Sequence, residues 1–279
     1  VQTLFVGGGT PTYLPVDALE RFLRIIQYWH PLEPGGEWSV EANPLDVTPA
    51  LIAQLAAAGV TRISLGAQSF SPRKLKLLER DHSAEQIAAA VAAVRTAGLQ
   101  VSLDLIFGVP AETLEEWQAD LQQGIALQPD HVSTYGLTWE HGTNYWNRRE
   151  RGELTPVDEE TERAMYQTTI TTLAGAGFEH YEVSNFARPG FQCRHNVLCW
   201  RGEEYYAAGP GAARYVAGER SANHRSTTRW LQLIEQGNSA IAEREQLTPW
   251  ERAKELLVFG LRMRAGIDAT WFEGKSGYP

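Results

Sequence analysis

The chain opens with Val1-Gln2-Thr3-Leu4-Phe5-Val6, which runs directly into Gly7-Gly8-Gly9-Thr10-Pro11-Thr12. The first six residues form an apolar run typical of a β-strand, and the glycines that follow end it abruptly. Adjacent glycines allow a backbone to approach a ligand closely and leave its N–H and C=O groups free to bond. The alternative is a tight turn that needs positive φ. This stretch therefore predicts a strand followed by either a ligand loop or a turn.

The same arrangement recurs along the first half of the chain, where four further strand-like runs each lead to a polar side chain. The runs and their polar residues are Trp38–Val40 with Glu41, Arg62–Gly66 with Gln68, Val101–Leu103 with Asp104, and His131–Thr134 with Tyr135. In a parallel α/β barrel the carboxyl ends of the strands share one mouth, where the active site lies. We therefore expect a glycine loop, two carboxylates, an amide and a phenol at one mouth.

Strands that alternate with helices predict an α/β fold with a parallel sheet built from βαβ units. We expect strands at 1–6, 38–42, 61–67, 100–107 and 131–137, and helices near 15–29, 48–58, 71–79, 83–97 and 113–127. These elements predict a partial parallel (β/α) barrel over residues 1–140.

The pattern changes after about residue 140. There we expect a charged loop at 147–158, a helix at 158–176, a short strand at 181–185 and two amphipathic helices near 226–236 and 248–262. Residues 141–279 are therefore predicted to form a smaller α+β C-terminal portion. Both ends look cut, because Val1 already lies inside a strand, and we interpret the chain as the middle of a longer protein.

Composition narrows the possible functions. The formal net charge of −9 argues against a general nucleic-acid surface, which needs clustered Lys and Arg. No apolar run reaches the length of about 18 residues that a membrane span needs, and no signal peptide precedes the first strand, so we expect a cytoplasmic protein. The two cysteines, Cys193 and Cys199, do not make a disulfide framework.

Polar side chains at the strand ends are the first candidates for a site. Glu41 and Asp104 lie in apolar runs, where acidic residues are rarely buried without a partner. A structural salt bridge would explain either one alone, but two with Gln68 between them favour a binding site. Arg80 can hold a carboxylate in a bidentate fork, or it can simply complement the dipole at the end of a helix.

A second candidate is the segment Cys193-Arg194-His195-Asn196-Val197-Leu198-Cys199-Trp200. His and Cys side chains together are typical of a metal or haem ligand set, although the spacing matches no zinc pattern. The alternative is a His-Asn corner held by hydrogen bonds to the backbone, with buried thiols beside it.

Taken in order, these segments resemble the radical S-adenosylmethionine proteins related to oxygen-independent coproporphyrinogen III oxidase. The resemblance covers nearly the whole chain. It is carried by Leu4–Thr12, Glu41-Ala42-Asn43-Pro44, Arg62–Phe70, Leu78-Glu79-Arg80-Asp81-His82 and Asp104–Pro110.

The resemblance implies cofactors and site residues. Gly8, Gly9 and Thr10 would hold the methionyl amino group of S-adenosylmethionine, and Arg80 would take its carboxylate. The remaining polar groups, including the ribose, would be bound by Glu41, Gln68 and Asp104. The implied chemistry is reductive cleavage of the sulfonium by a [4Fe–4S] cluster.

The cluster ligands of that family are a Cys-x3-Cys-x2-Cys set before the glycine loop, so we expect them upstream of residue 1. Cys193 and Cys199 do not replace three closely spaced thiolates. No metal ligand and no catalytic residue are therefore assigned within this chain.

Within the family, Tyr181–Ala187 followed by His195-Asn196-x-x-Cys199-Trp200 resembles the HemW branch, which carries His-Asn-x-x-Tyr-Trp. Cys199 stands where that branch has tyrosine. The resemblance implies a haem chaperone in which His195 and Cys199 are candidate contacts for haem or a porphyrin. Its implied partners are an apo-haemoprotein recipient and a reductant protein such as a flavodoxin or ferredoxin.

Two other functions stay open from the sequence. One is oxygen-independent coproporphyrinogen III oxidase, which decarboxylates its substrate oxidatively to protoporphyrinogen IX. The other is a barrel that binds a nucleotide-like ligand without redox chemistry.

Overall fold

Apolar and polar residues alternate in the strands of the first half of the chain, and this alternation gives the sheet two different faces. In the computed structural model, which describes residues 1–279, Trp38, Val40, Ile63 and Leu65 are buried in the hydrophobic core. The residues between them along the strands are polar, such as Ser39 and Ser64. Since successive side chains of a strand point to opposite faces, one face packs against the helices and the other carries polar groups.

The chain divides into two compact units, Val1–Cys193 and Arg194–Pro279. The first unit contains a seven-stranded sheet in the order β1-β2-β3-β4-β5-β7-β6. Its strands are β1 (Thr3–Val6), β2 (Glu37–Ala42), β3 (Arg62–Gln68), β4 (Gln100–Phe107), β5 (His131–Gly136), β6 (Glu179–Glu182) and β7 (Asn185–Ala187). The first five are parallel, and β7 pairs antiparallel with both β5 and β6.

Helices connect the parallel strands and follow the last of them, and most of these helices pack on the apolar face. They are α1 (Val16–Trp29), α2 (Pro49–Ala57), α3 (Pro72–Leu77), α4 (Ala84–Thr96), α5 (Leu114–Ala126), α6 (Asn144–Glu150) and α7 (Glu159–Gly175). Side-chain caps fix several starts: Ser83 and Thr113 each form a reciprocal capping box with the residue three positions later. α4 packs against both β3 and β4.

The second unit is smaller and mixes helices with a three-stranded antiparallel sheet in the order β10-β9-β8. Its elements are α8 (Arg194–Trp200), β8 (Ala213–Val216), β9 (Glu219–Asn223), α9 (Thr227–Glu235), β10 (Ile241–Gln246), α10 (Pro249–Gly260) and α11 (Ala269–Ser276). In neither unit does any helix have the length and apolar character that crossing a membrane requires.

The predicted α/β fold, with parallel strands first and a smaller α+β portion after them, is confirmed. Details differ in the second half. The single strand expected at 181–185 is a hairpin, β6 and β7, that turns at Val183-Ser184, and the expected loop at 147–158 begins inside α6. The division into domains at residue 140 stays a prediction.

Candidate functional site

The parallel register brings polar residues from β2 to β5 to one face of the sheet. Glu41 lies one residue before the end of β2 and Gln68 ends β3, as expected, but the expectation that Asp104 lies at the end of its strand is wrong, because β4 continues for three more residues to Phe107. Glu41 pairs with Ser64 across β2 and β3, and Asp104 pairs with Ser133 across β4 and β5. The Ser64 hydroxyl donates to both carboxylate oxygens of Asp104, at 3.2 and 3.0 Å. We call the group Glu41, Ser64, Asp104 and Ser133, together with Gln68, the strand-end cluster.

Asp104 is a half-buried carboxylate whose protonation is strongly perturbed. Burial raises the pKa of Asp104 to about 6, while hydrogen bonds from Ser133 and Ser64 oppose the rise and the charge on Glu41 adds to it. Carboxylates with perturbed pKa values in a polar cluster are typical of functional sites. At neutral pH the group is largely ionised, so it accepts hydrogen bonds from ligand hydroxyl or ammonium groups.

Glu41 holds the glycine loop in place. Its Oε2 accepts a hydrogen bond from the Gly8 N–H at 3.0 Å, and Gly8 has a φ of 77°. A Cβ on Gly7 would lie 2.5 Å from that same carboxylate, so a side chain there would require the carboxylate or the loop to shift. Burial raises the pKa of Glu41, and the Gly8 hydrogen bond opposes the rise. The loop therefore rests against the carboxylate, and the exposed backbone of Gly9 continues from that contact.

Gln68 ends β3 and combines two unusual properties. It has a φ of 62°, and its Oε1 is buried with no hydrogen-bond partner. Its Nε2 lies 3.0 Å from the position of a Cβ on Gly66, so the amide packs against a residue without a side chain. This buried oxygen lacks a hydrogen bond that a hydroxyl or N–H group of a ligand would supply.

The structure does not bring the remaining predicted residues into the same group. Thr10 is exposed and begins a short 3₁₀ turn at Pro11–Tyr13 without a side-chain cap. Arg80 is exposed on the turn after α3, where no carboxylate lies within ion-pair distance of its guanidinium. That turn is nevertheless tied to the site, because the His82 Nε2 lies 2.9 Å from the Ala67 carbonyl, one residue before Gln68.

Some members of the group were not singled out from the sequence. Ser64 and Ser133 look like ordinary polar residues in alternating strands. Gly7 stands in a run of three glycines, and the sequence does not show which of the three has a separate role. The serines can be recognised only from their positions opposite the carboxylates on neighbouring strands, and these positions are known only once the register of the sheet is known.

The phenol of Tyr135, which the sequence did predict at this site, also belongs to the group. Burial of the phenol and then the charge on Asp104 raise the pKa of Tyr135, although 44% of the residue stays exposed.

His195 and Cys199 lie in the second unit, one helical turn apart on α8. The Cys199 Sγ is 3.9 Å from the His195 Nε2, so both side chains face the same side of the helix. Burial raises the pKa of the Cys199 thiol, which keeps it protonated at neutral pH. Next to them the Trp200 ring stacks under Arg262, whose guanidinium carbon is 4.3 Å from the ring centroid.

The strand-end cluster fits S-adenosylmethionine. The open Gln68 oxygen suits a ribose hydroxyl, and the two carboxylates accept hydrogen bonds from hydroxyl or ammonium groups. A [4Fe–4S] cluster does not fit the residues present. The two cysteines lie in different units, and no group of three or more His, Cys, Asp and Glu side chains is arranged to hold a metal ion.

Comparisons with known proteins identify the family to which this chain is similar. A family model for the radical SAM superfamily matches residues 1–123. The heme chaperone HemW of Lactococcus lactis is 37% identical over 276 residues, which are 99% of this chain and 72% of that protein. The heme chaperone HemW of Mycobacterium tuberculosis is 38% identical over 268 residues, which are 96% of this chain and 69% of that protein.

Among solved structures, the similarity to one enzyme extends over the entire chain. Coproporphyrinogen III oxidase (HemN) from Escherichia coli superposes with a TM-score of 0.86 at 22% sequence identity, covering 100% of this chain and 67% of that one. At this identity the likeness shows the fold alone.

Proposed function

This chain belongs to the HemW family of radical S-adenosylmethionine proteins, and from that premise we propose that it binds haem and passes it to apo-haemoproteins. The observation that carries the proposal is similarity to HemW chaperones over nearly the whole chain, including the segment with His195 and Cys199. Membership of the superfamily implies S-adenosylmethionine and a [4Fe–4S] cluster as cofactors.

For S-adenosylmethionine we propose that the strand-end cluster binds the polar groups of the ligand. Gln68 accepts from a ribose hydroxyl, Asp104 and Glu41 accept from further hydroxyl or ammonium groups, and the backbone of Gly8 and Gly9 lies beside the amino acid part. Bound cofactor would supply reductive cleavage of its sulfonium bond when an electron is delivered. The residues of this chain bind and orient it.

For haem we propose contacts from α8. The neutral imidazole is the commonest metal ligand among protein side chains, and we propose His195 as the iron ligand. The Cys199 thiol lies beside it, with Sγ 3.9 Å from Nε2. The recipient apo-haemoprotein takes the haem from this position, and a flavodoxin or ferredoxin serves as the reductant.

A haem titration of the anaerobically purified protein, followed by its visible spectrum, tests this function. We expect stoichiometric binding with a Soret band that His195→Ala shifts or abolishes. The matched control is His30→Ala, since His30 is exposed at the end of α1 in the other unit. Transfer is then measured as the gain of a holo-protein spectrum by an added apo-haemoprotein.

The result that overturns the proposal is absence of haem binding by the unmodified protein. Conversion of coproporphyrinogen to protoporphyrinogen in the same preparation would then favour the decarboxylase. The likeness to HemN at 22% identity concerns the fold and gives that alternative no further support.

A further inference from the structure

Gln68 holds a backbone conformation that residues with side chains seldom adopt. Its φ is 62°, and the Ser69 N–H donates to the Ala67 carbonyl at 2.7 Å across it, the hydrogen bond of a three-residue γ-turn. The register between β3 and β4 also shifts between Leu65 and Gln68. Such a conformation persists only where the surrounding structure fixes it. The contacts on both sides of Gln68 must therefore hold it in place.

Asp120, a buried residue of α5, holds the chain after Gln68. Its Oδ2 accepts a hydrogen bond from the Ser69 hydroxyl at 2.6 Å, and its Oδ1 accepts one from the Phe70 N–H at 2.8 Å. On the other side, the Ala67 carbonyl is the one that the His82 ring approaches. Both neighbours of the turn are thus fixed by buried side chains from other elements.

The Asp120 carboxylate is itself fixed by Lys74, whose side chain is fully buried on α3. The Lys74 Nζ donates to Asp120 Oδ2 at 2.6 Å, to the Ile106 carbonyl at 3.2 Å and to Glu112. All three ammonium protons are therefore used. Ile106 follows Asp104 by two residues on β4, so this one ammonium group connects the end of β3 with the end of β4.

Although its backbone is held this firmly, the Gln68 side chain keeps its buried oxygen without a partner. We propose that Ser69, Asp120 and Lys74 form a positioning network that holds Gln68 in its unusual conformation so that its amide oxygen meets a hydroxyl of S-adenosylmethionine. This inference rests on the proposed function, because it takes the cofactor from there. The three residues act through Gln68 and do not touch the ligand.

A purely structural role for this network would be to dock α3 on α5. A second ion pair joins the same two helices, and its removal can distinguish a role in helix docking from a role in positioning Gln68. Arg73 and Glu116 form an exposed ion pair with 2.7 Å between Nη2 and Oε2, and Arg73 also donates to the Pro110 carbonyl. The polar partners of Arg73 are Glu116 and the Pro110 carbonyl, neither of which belongs to the Ser69–Asp120–Lys74 network, so we expect Arg73→Gln to loosen helix docking without releasing Gln68.

The experiment is a double-mutant cycle on the binding of S-adenosylhomocysteine, measured by calorimetry. This probe carries the same ribose and needs no reductant. We expect Ser69→Ala, which removes one hydrogen bond to Asp120, to weaken binding about tenfold in the unmodified protein. In the Gln68→Ala background the same change should weaken binding by less than about twofold. Arg73→Gln should leave affinity unchanged, and thermal unfolding checks that each variant is folded.

Two results would overturn the inference while leaving the cofactor assignment intact. One is an equal loss from Ser69→Ala in both backgrounds, and the other is a comparable loss from Arg73→Gln. If the unmodified protein does not bind the probe, the cofactor part of the proposed function fails, and the positioning role fails with it.

Discussion

Replacing Asp104 with asparagine should change how the stability of the protein depends on pH. In the folded protein the pKa of Asp104 is raised from its ordinary value of 3.8 to about 6. The folded protein therefore holds the proton of Asp104 more tightly than the unfolded chain does. The stability that results is fully present at pH values below the pKa of the unfolded chain, and it is lost as the pH rises through the folded pKa of about 6. The ionised carboxylate therefore costs stability at neutral pH.

The size of the effect follows from the shift. A difference of about 2 pKa units corresponds to about 3 kcal/mol between strongly acidic and neutral conditions. About 1.4 kcal/mol of this loss should fall between about pH 5 and about pH 8. Asparagine does not ionise and still accepts hydrogen bonds from Ser64 and Ser133, so Asp104→Asn should not lose this stability.

The measurement is urea unfolding of both proteins without ligand, followed by circular dichroism near pH 5 and near pH 8. At each pH we take the free energy of unfolding of Asp104→Asn minus that of the unmodified protein. We expect this difference to be about 1.4 kcal/mol larger near pH 8 than near pH 5. Asp17→Asn is the control, because Asp17 is exposed in the first turn of α1. An equal stability difference at both pH values would refute the argument that burial holds the Asp104 pKa high.

Two further substitutions test the contacts of the site directly. Gly7→Ala should weaken binding of S-adenosylhomocysteine about tenfold or more, because its Cβ would lie 2.5 Å from the Glu41 carboxylate and displace the loop. Gly175→Ala, at the exposed end of α7, is its control, since no atom lies within 4 Å of that Cβ, and equal losses in calorimetry would argue against a Gly7–Glu41 contact. Lys74→Met should lower the free energy of unfolding by about 3–5 kcal/mol, because it leaves the Asp120 and Glu112 carboxylates buried without their cation. Urea unfolding measures this, and a change below about 1 kcal/mol would mean that the buried ions are not mutually stabilising.

The first half of the fold was predictable because each strand carries its own signal. The strands that carry Glu41, Gln68 and Asp104 are apolar on one face, and a helix with a side-chain cap follows each of them. Period and capping are local properties of the sequence, so they can be recognised without knowing the sheet.

Several later elements were missed because they lack that local signal. β10, Ile241–Gln246, has five exposed residues out of six, so its sequence shows no apolar alternation. α6, Asn144–Glu150, has no buried residue, and its aromatic and basic side chains look like a charged loop. These segments take their structure from neighbours that are distant in the sequence.

At the site, the strands that carry the residues were predictable from the sequence, but the conformation of Gln68 was not. That Glu41, Gln68 and Asp104 lie on neighbouring parallel strands follows from the sequence, since βαβ units place such strands side by side. The conformation of Gln68 does not follow, because its supports lie far along the chain: Asp120 is 51 positions beyond Ser69 and 46 beyond Lys74. A strained residue whose backbone is fixed through the buried charges of Asp120 and Lys74, while its own amide oxygen has no hydrogen-bond partner, would be a costly defect without a ligand. The strain and the open acceptor are therefore best explained together, as a position prepared for a hydrogen-bond donor that the ligand brings.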